Sequence, residues 1–225
     1  MIKIKKIIIM IFLLCSISIF YFIDVTQSIE YKRVNEIEHF IESYESINNN
    51  NNGSNQYLEL DLNENAEVYI SDISEVKKII EKEDAIIYFG FETCPWCRNM
   101  IGTLLDVAEK NDKKIYYVDI KSIRNEYTVE DGKIIESKKS SNEYYEVLEI
   151  LEDYLTDYII YDEGKEYNTN TKRIYGPTVL VVKQGSVRDI KTGTLAEVDD
   201  PYIELTKEQY DLLYSEFDSM LKNGK

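Results

Sequence analysis

The chain has 225 residues, with 42 acidic against 26 basic side chains and a formal net charge of −16. That length fits one ordinary domain with additional segments. The acid is spread along the chain and no Lys/Arg cluster offers a surface to phosphate, which excludes nucleic-acid binding.

The first elements concern a membrane. Residues 1–6 form a basic flank with Lys3, Lys5 and Lys6, and residues 7–23 run apolar without a charge. That run is near the lower limit for spanning a bilayer. "FIDVTQS" offers a poor small-x-small cleavage site, and Leu14 before Cys15 is wrong for a lipoprotein signal. The segment therefore reads as an uncleaved, single-pass signal-anchor. Its basic end stays in the cytoplasm and the bulk of the chain lies outside the cell membrane. Cys15 then sits in lipid without a chemical role, and the only histidine, His39, reads as a surface residue.

Residues 24–63 read as a juxtamembrane helix and linker. Val34, Ile37, Ile41 and Tyr44 share one helical face, fit to lie on the membrane or to pack on the domain. Asn48–Asn52 with Gly53 and Ser54 reads as a flexible tether, which places the start of the folded domain near Glu64.

From there the pattern alternates. Ala66–Ile70 is a short strand. A helix follows, with Ser71 or Asp72 as its cap and Ile73, Val76, Ile79 and Ile80 as its stripe. Ala85–Phe91 is a continuous β-branched and aromatic run, as in a strand buried on both faces. The next helix carries Cys97, Ile101, Leu104 and Ala108 on one face, and Lys114–Ile120 is another buried strand. This β-α-β-α-β order predicts an α/β domain with parallel strands and right-handed crossovers. Residues 121–174 break the rhythm as a partly helical insert. In it "YTVEDGKIIESKKSS" reads as weakly structured and "DEGKEYNTNTKR" as a loop. Between them lies a helix with Tyr144, Leu148, Leu151, Leu155 and Tyr158 on one face. "YGPTVLVVKQGSVRDIKTG" predicts an antiparallel hairpin turning at Gly185. A last helix follows Thr206, with Leu212, Leu213, Phe217 and Leu221 facing inward.

Two cysteines, Cys94 and Cys97, stand where the buried strand gives way to a helix. A structural zinc site needs four ligands, commonly a second Cys or His pair, and this chain lacks one. A disulfide between them closes almost no loop and so stabilises little. A redox pair gains from the context. Near the helix N-terminus, unpaired N–H groups and the macrodipole favour a thiolate at Cys94. Pro95 suits the first helical position because its missing N–H leaves no bond unmade.

"YFGFETCPWCRNM" and "YGPTVLVVKQGSV", with "GPT" about eighty residues after the cysteines, carry a resemblance. From about Glu64 to its end the chain resembles a thioredoxin-superfamily domain. Within that superfamily it is similar to the membrane-anchored thioredoxin-like proteins of Gram-positive bacteria, among them the bacteriocin transport accessory proteins. The resemblance implies a thioredoxin-like fold, with a central mixed sheet flanked by helices. It implies thiol–disulfide oxidoreductase activity with Cys94 as attacking thiolate and Cys97 as resolving cysteine. Pro95 and Trp96 between them would help tune the potential. Pro177 would be the cis-proline beside the pair, and Gly176 would offer backbone groups to an extended substrate. Neither cofactor nor metal is implied. The partners would be cysteine-containing exported proteins or peptides, and an electron-transfer partner in the membrane.

Two departures accompany the resemblance. Thioredoxins usually carry a buried acid six residues before the first cysteine, and Tyr88 stands there in this chain. That leaves water or Glu92 to move the proton of Cys97. Pro95-Trp96 is neither the usual reductase pair, Gly-Pro, nor the usual oxidase pair, Pro-His, and Trp96 cannot hold a thiolate as a charged histidine does. The pair leans toward a reductase or isomerase. Two other functions stay open: a binding or accessory module for an exporter with a dispensable cysteine pair, and a Cu(I) chaperone.

Overall fold

Apolar strands separated by amphipathic helices build one mixed five-stranded sheet. The computed structural model describes residues 36–82 and 84–223. The basic flank, the apolar anchor and Val34 lie outside the described residues. Among those described, no helix is long and apolar enough to cross a membrane.

Helix α1 covers 36–45. A small hairpin of β1 (Asn51–Asn52) and β2 (Asn55–Gln56) precedes β3 (Glu67–Ile70), α2 (Ile73–Lys82) and β4 (Ala85–Gly90). Next come α3 (Pro95–Lys110), β5 (Lys114–Asp119) and the single turn α4 (Ile120–Ile123). Hairpin β6 (Glu126–Glu130)–β7 (Lys133–Lys138), helix α5 (Asn142–Ile150) and hairpin β8 (Asp157–Asp162)–β9 (Lys165–Lys172) form the insert. The chain closes with β10 (Thr178–Lys183), β11 (Ser186–Thr192) and α6 (Lys207–Asn223).

The sheet order is β11-β10-β4-β5-β3. Strands β3 and β4 each pair in parallel with β5, while β10 runs antiparallel to both β4 and β11. Period-two alternation splits the central strands between two cores. Ile86 and Tyr88 of β4, Ile115 and Tyr117 of β5, and Val179 and Val181 of β10 face the core under α1, α3 and α6. Ile87, Phe89, Val118, Leu180 and Val182 face the opposite core with α2 and α5. Burial on both faces is why β4 reads as an unbroken apolar run. Asp72 is the α2 cap, its Oδ1 accepting from the N–H groups of Ser74 at 2.8 Å and Glu75 at 3.0 Å.

Four expectations need correction. First, the folded body begins well before Glu64. Phe40 and Tyr44 of α1 and Leu62 belong to the first core, with Ile37 and Ile41 packed against it. The Asn-rich stretch is no tether. Asn48 accepts from Leu60 N–H and donates to Leu60 O, and Arg98 holds the same loop from below. Side-chain amides tying backbone to backbone do the ordering that an apolar side chain would do elsewhere. Second, "YTVEDGKIIESKKSS" and "DEGKEYNTNTKR" contribute to hairpins. Asp131-Gly132 and Glu163-Gly164 adopt positive φ at both turn residues, as Gln184-Gly185 does in the expected hairpin. Such X-Gly pairs match the strand twist and close two-residue turns even between polar strands. Third, the insert helix ends at Ile150. A 3₁₀ turn at Glu152–Tyr154 follows, and Tyr158 lies in β8. Fourth, Leu212 is 44% exposed, and the inward stripe of α6 is Leu213, Phe217, Met220 and Leu221.

Candidate functional site

The site forms where β4 ends and α3 begins, beside the turn into β10. Cys94 is the N-cap of α3, in extended backbone at φ −87° and ψ 113°, and Pro95 opens the helix. The Cys94 sulfur accepts from the Cys97 N–H at 3.1 Å, so a thiol does the work usually given to a serine or aspartate oxygen. Cys97 sits one turn further in, on the face that carries Ile101, Leu104 and Ala108 into the core. Both are unbonded thiols; Cys94 is 5% exposed and Cys97 fully buried.

Their environments drive the two thiols apart. Hydrogen bonding from the Cys97 side chain lowers the Cys94 thiol below its ordinary value against the opposing effect of burial. The N–H groups of Cys97 and Trp96 and the Arg124 guanidinium add to the lowering. Cys97 is pushed well up, first by burial, then by the hydrogen bond and charge of Cys94. One sulfur is therefore prepared as a thiolate and the other as a thiol.

The Gly176–Pro177 peptide bond is cis. The turn it makes faces the pair: the Cys94 Sγ–H donates to Gly176 O at 3.4 Å. A Cβ at Gly176 would stand 3.2 Å from the Cys97 sulfur and 3.3 Å from the Phe91 ring, so no larger residue fits without displacing one of them. Trp96 is half-buried against the first core. Cys94, Pro95, Trp96, Cys97, Gly176 and Pro177 thus come together. Glu92 is half-buried beyond the end of β4, and its charge acts on Tyr57, Arg98 and Tyr117.

Several residues join the site without a sequence motif to mark them. The insert bends back so that both its ends flank the cysteines. Lys121 donates to Thr93 Oγ1 at 2.8 Å, and the Arg124 guanidinium lies 5.2 Å from the Phe91 ring centroid. Arg173, stacked 3.8 Å over the Tyr158 ring, donates to Asn125 O and ties the two ends together. Of these cations, Arg124 acts on Cys94 and favours its thiolate. Tyr57 donates to Thr93 O at 3.1 Å from the other side. Arg98, next to Cys97, is 2% exposed and donates to Tyr44 O, Asn48 Oδ1 and Leu58 O. A charged residue following a cysteine inside an otherwise apolar helix face was the available signal for it. Among the described residues no group of three His, Cys, Asp or Glu side chains is placed to hold a metal ion.

No protein-family model matches the chain, and no curated protein matches its sequence.

Proposed function

We propose that the chain is a thioredoxin-like thiol–disulfide oxidoreductase, tethered by residues 7–23 to the cell membrane with its folded domain outside the cytoplasm. The observation that carries the reading is the Cys94 sulfur at the α3 N-terminus, 3.1 Å from the Cys97 N–H and 3.4 Å from the carbonyl of the cis Gly176–Pro177 turn. The strand order and the opposed shifts of the two thiols support it.

The Cys94 thiolate attacks a substrate disulfide. One sulfur of the substrate leaves as a thiolate and takes a proton, and the other stays joined to Cys94. Cys97 then attacks Cys94, the Cys94–Cys97 disulfide forms, and the second substrate sulfur leaves reduced. The same steps in reverse oxidise a dithiol. The substrates are exported proteins or peptides with cysteines, and a membrane partner restores the pair to its working state. Pro95-Trp96 leans the pair toward reduction or isomerisation.

Changing Cys97 to alanine removes the resolving sulfur and leaves substrates on Cys94. Membranes from cells making C97A should yield reducible mixed-disulfide adducts that C94S/C97A lacks. An adduct-free C97A sample contradicts the reading. The burial of Cys94 favours the alternative, a binding or accessory module for an exporter. Full biological function in C94S/C97S would decide for it.

A further inference from the structure

The insert leaves and rejoins the sheet beside the cysteines, and it brings cations to both points. Lys121 and Arg124 follow β5, and Arg173 precedes the cis Gly176–Pro177 turn. The Phe91 ring ties the first two to the site. Its centroid lies 5.7 Å from the Lys121 ammonium and 5.2 Å from the Arg124 guanidinium, and a Cβ at Gly176 would meet its edge at 3.3 Å. The carbonyl of Gly176 in turn takes the Cys94 thiol at 3.4 Å. From the other direction Lys121 donates at 2.8 Å to the hydroxyl of Thr93, the residue before Cys94. Only the Phe91 ring and Thr93 therefore separate these cations from Cys94 and Gly176, the groups that meet a substrate on the reading above.

These cations lack the counter-charge that an acidic chain could supply. Among the described residues no carboxylate comes within ion-pair distance of Lys121, Arg124 or Arg173. Acids of the same segments are engaged elsewhere. Asp119 accepts from the Lys121 main-chain N–H, Glu136 accepts from Asn125 and Tyr145, and Asp157 pairs with Lys172. Arg173 is 5% exposed and is held by the Tyr158 ring at 3.8 Å and by Asn125 O at 3.2 Å, which fixes the main chain next to Arg124. Its charge and that of Arg124 oppose one another, a cost that an incoming anion would relieve. Arg124 itself is half-buried, so a ligand can reach it, and its Nε is buried with no hydrogen-bond partner among the described residues.

We propose that Arg124, aided by Lys121 and positioned by Arg173, receives a carboxylate that the substrate carries beside its disulfide, and so selects acidic cysteine peptides. This rests on the exchange chemistry proposed above and names its substrate class. A guanidinium fork takes a carboxylate through two parallel N–H···O bonds, which gives direction as well as attraction. A carboxylate bound there brings the neighbouring substrate sulfur to Cys94, the sulfur that the Gly176 carbonyl holds at the edge of the same ring.

The test is single-turnover reduction of short peptides with an internal disulfide by the reduced full chain, in detergent and carrying C15S. Two amidated peptides differ only in Glu or Gln beside their cysteines. A third is the Gln peptide ending in a free carboxylate on its last cysteine. Rates are divided by those of the same peptides with dithiothreitol, which removes their intrinsic reactivity. A carboxylate peptide should react about fivefold faster than the amidated Gln peptide, the gap narrowing in added salt, and the faster of the two tells a side chain from a chain end as the source. Arg124→Gln should at least halve that ratio. Whatever the substitution does to Cys94 it does to every peptide alike, so the ratio reports recognition alone. A parent ratio below about twofold for both carboxylate peptides overturns the inference, as does a ratio unchanged in Arg124→Gln. If Arg124→Gln does not fold by circular dichroism, Lys121→Gln, at an exposed position, decides by the same ratio, and an unchanged value there overturns it. A parent chain that reduces none of the peptides is a different failure: it overturns the oxidoreductase reading and this inference with it.

Discussion

Arg98→Ala should loosen residues 36–60 from the sheet. The guanidinium is buried, yet it reaches Tyr44 O at 2.6 Å, Asn48 Oδ1 at 2.6 Å and Leu58 O at 2.5 Å. Burial opposes its charge, and Glu45 and Glu92 lie near enough to favour it. Removing it leaves two main-chain carbonyls without their donor, while Asn48 Oδ1 keeps the Leu60 N–H at 3.0 Å. Hydrogen bonds to a charged group are worth about 1.5–3 kcal/mol each, so two cost about 3–6 kcal/mol. Releasing a buried cation returns part of that, and breaking such a site typically nets about 3–5 kcal/mol. Domain stabilities are about 5–15 kcal/mol, so the variant should be severely weakened. With a urea slope of about 2 kcal/mol/M, the midpoint of the full-length chain should fall by about 1.5–2.5 M. Hydrogen exchange should rise most across 46–62. A midpoint within about 0.5 M of the parent, equivalent to about 1 kcal/mol, would refute the reasoning.

Alkylation of the reduced chain by iodoacetamide, followed by mass spectrometry, should modify Cys94 and spare Cys97. Its pH midpoint should lie below the ordinary thiol value of about 8.5, and Arg124→Ala should raise it; equal midpoints would remove Arg124 from the account. Because the folded value of Cys94 is depressed, the reduced fold gains stability as pH rises from that value toward the unfolded thiol value. Above that, the raised Cys97 turns the slope downward. Gly90→Ala places a methyl group where the Tyr88 hydroxyl lies in a strand buried along its whole length, and should cost about 1–3 kcal/mol in thermal denaturation. An unchanged Tm would show that Tyr88 does not depend on that space. Asp72→Ala removes the α2 cap and should cost about 1 kcal/mol at neutral pH. The folded value of Asp72 is depressed, first by its hydrogen bond from Ser74, so this contribution is present above the unfolded carboxylate value. It vanishes as pH falls through the folded one, and parent and variant should converge in acid.

What the sequence made legible was mostly periodic. The run Ala85–Phe91 announced a strand buried on both faces, found at Ala85–Gly90, and the turn of Cys97, Ile101, Leu104 and Ala108 announced the inner face of α3. Cys94, Pro95 and Cys97 were readable because a cap, a helix-opening proline and a resolving thiol have fixed offsets. The residues that escaped act across long separations. Tyr44 meets Tyr88 at 44 residues' distance, and Arg98 reaches Asn48 and Leu58 through amide and carbonyl groups that leave no apolar pattern. The Asn-rich segment was ordered by those bonds, which composition does not reveal. Glu163-Gly164 closes a hairpin as Gln184-Gly185 does, but between polar strands it lacks the hydrophobic alternation that made the second one visible. Leu212 and Leu213 differ by one position on α6, about 100° round the helix, and only the rotation of α6 about its own axis chose between them.

The most direct measurement is a thiol-buffer titration of the Cys94–Cys97 pair, followed by the fluorescence of Trp96, the only tryptophan in the chain. The account predicts one reversible two-electron transition, lost in C94S/C97S, with a midpoint nearer about −270 mV than about −120 mV. A midpoint near about −120 mV would keep the redox pair but reverse its direction. No reversible transition at all would contradict the central claim and leave Cys94 and Cys97 without the exchange chemistry proposed for them.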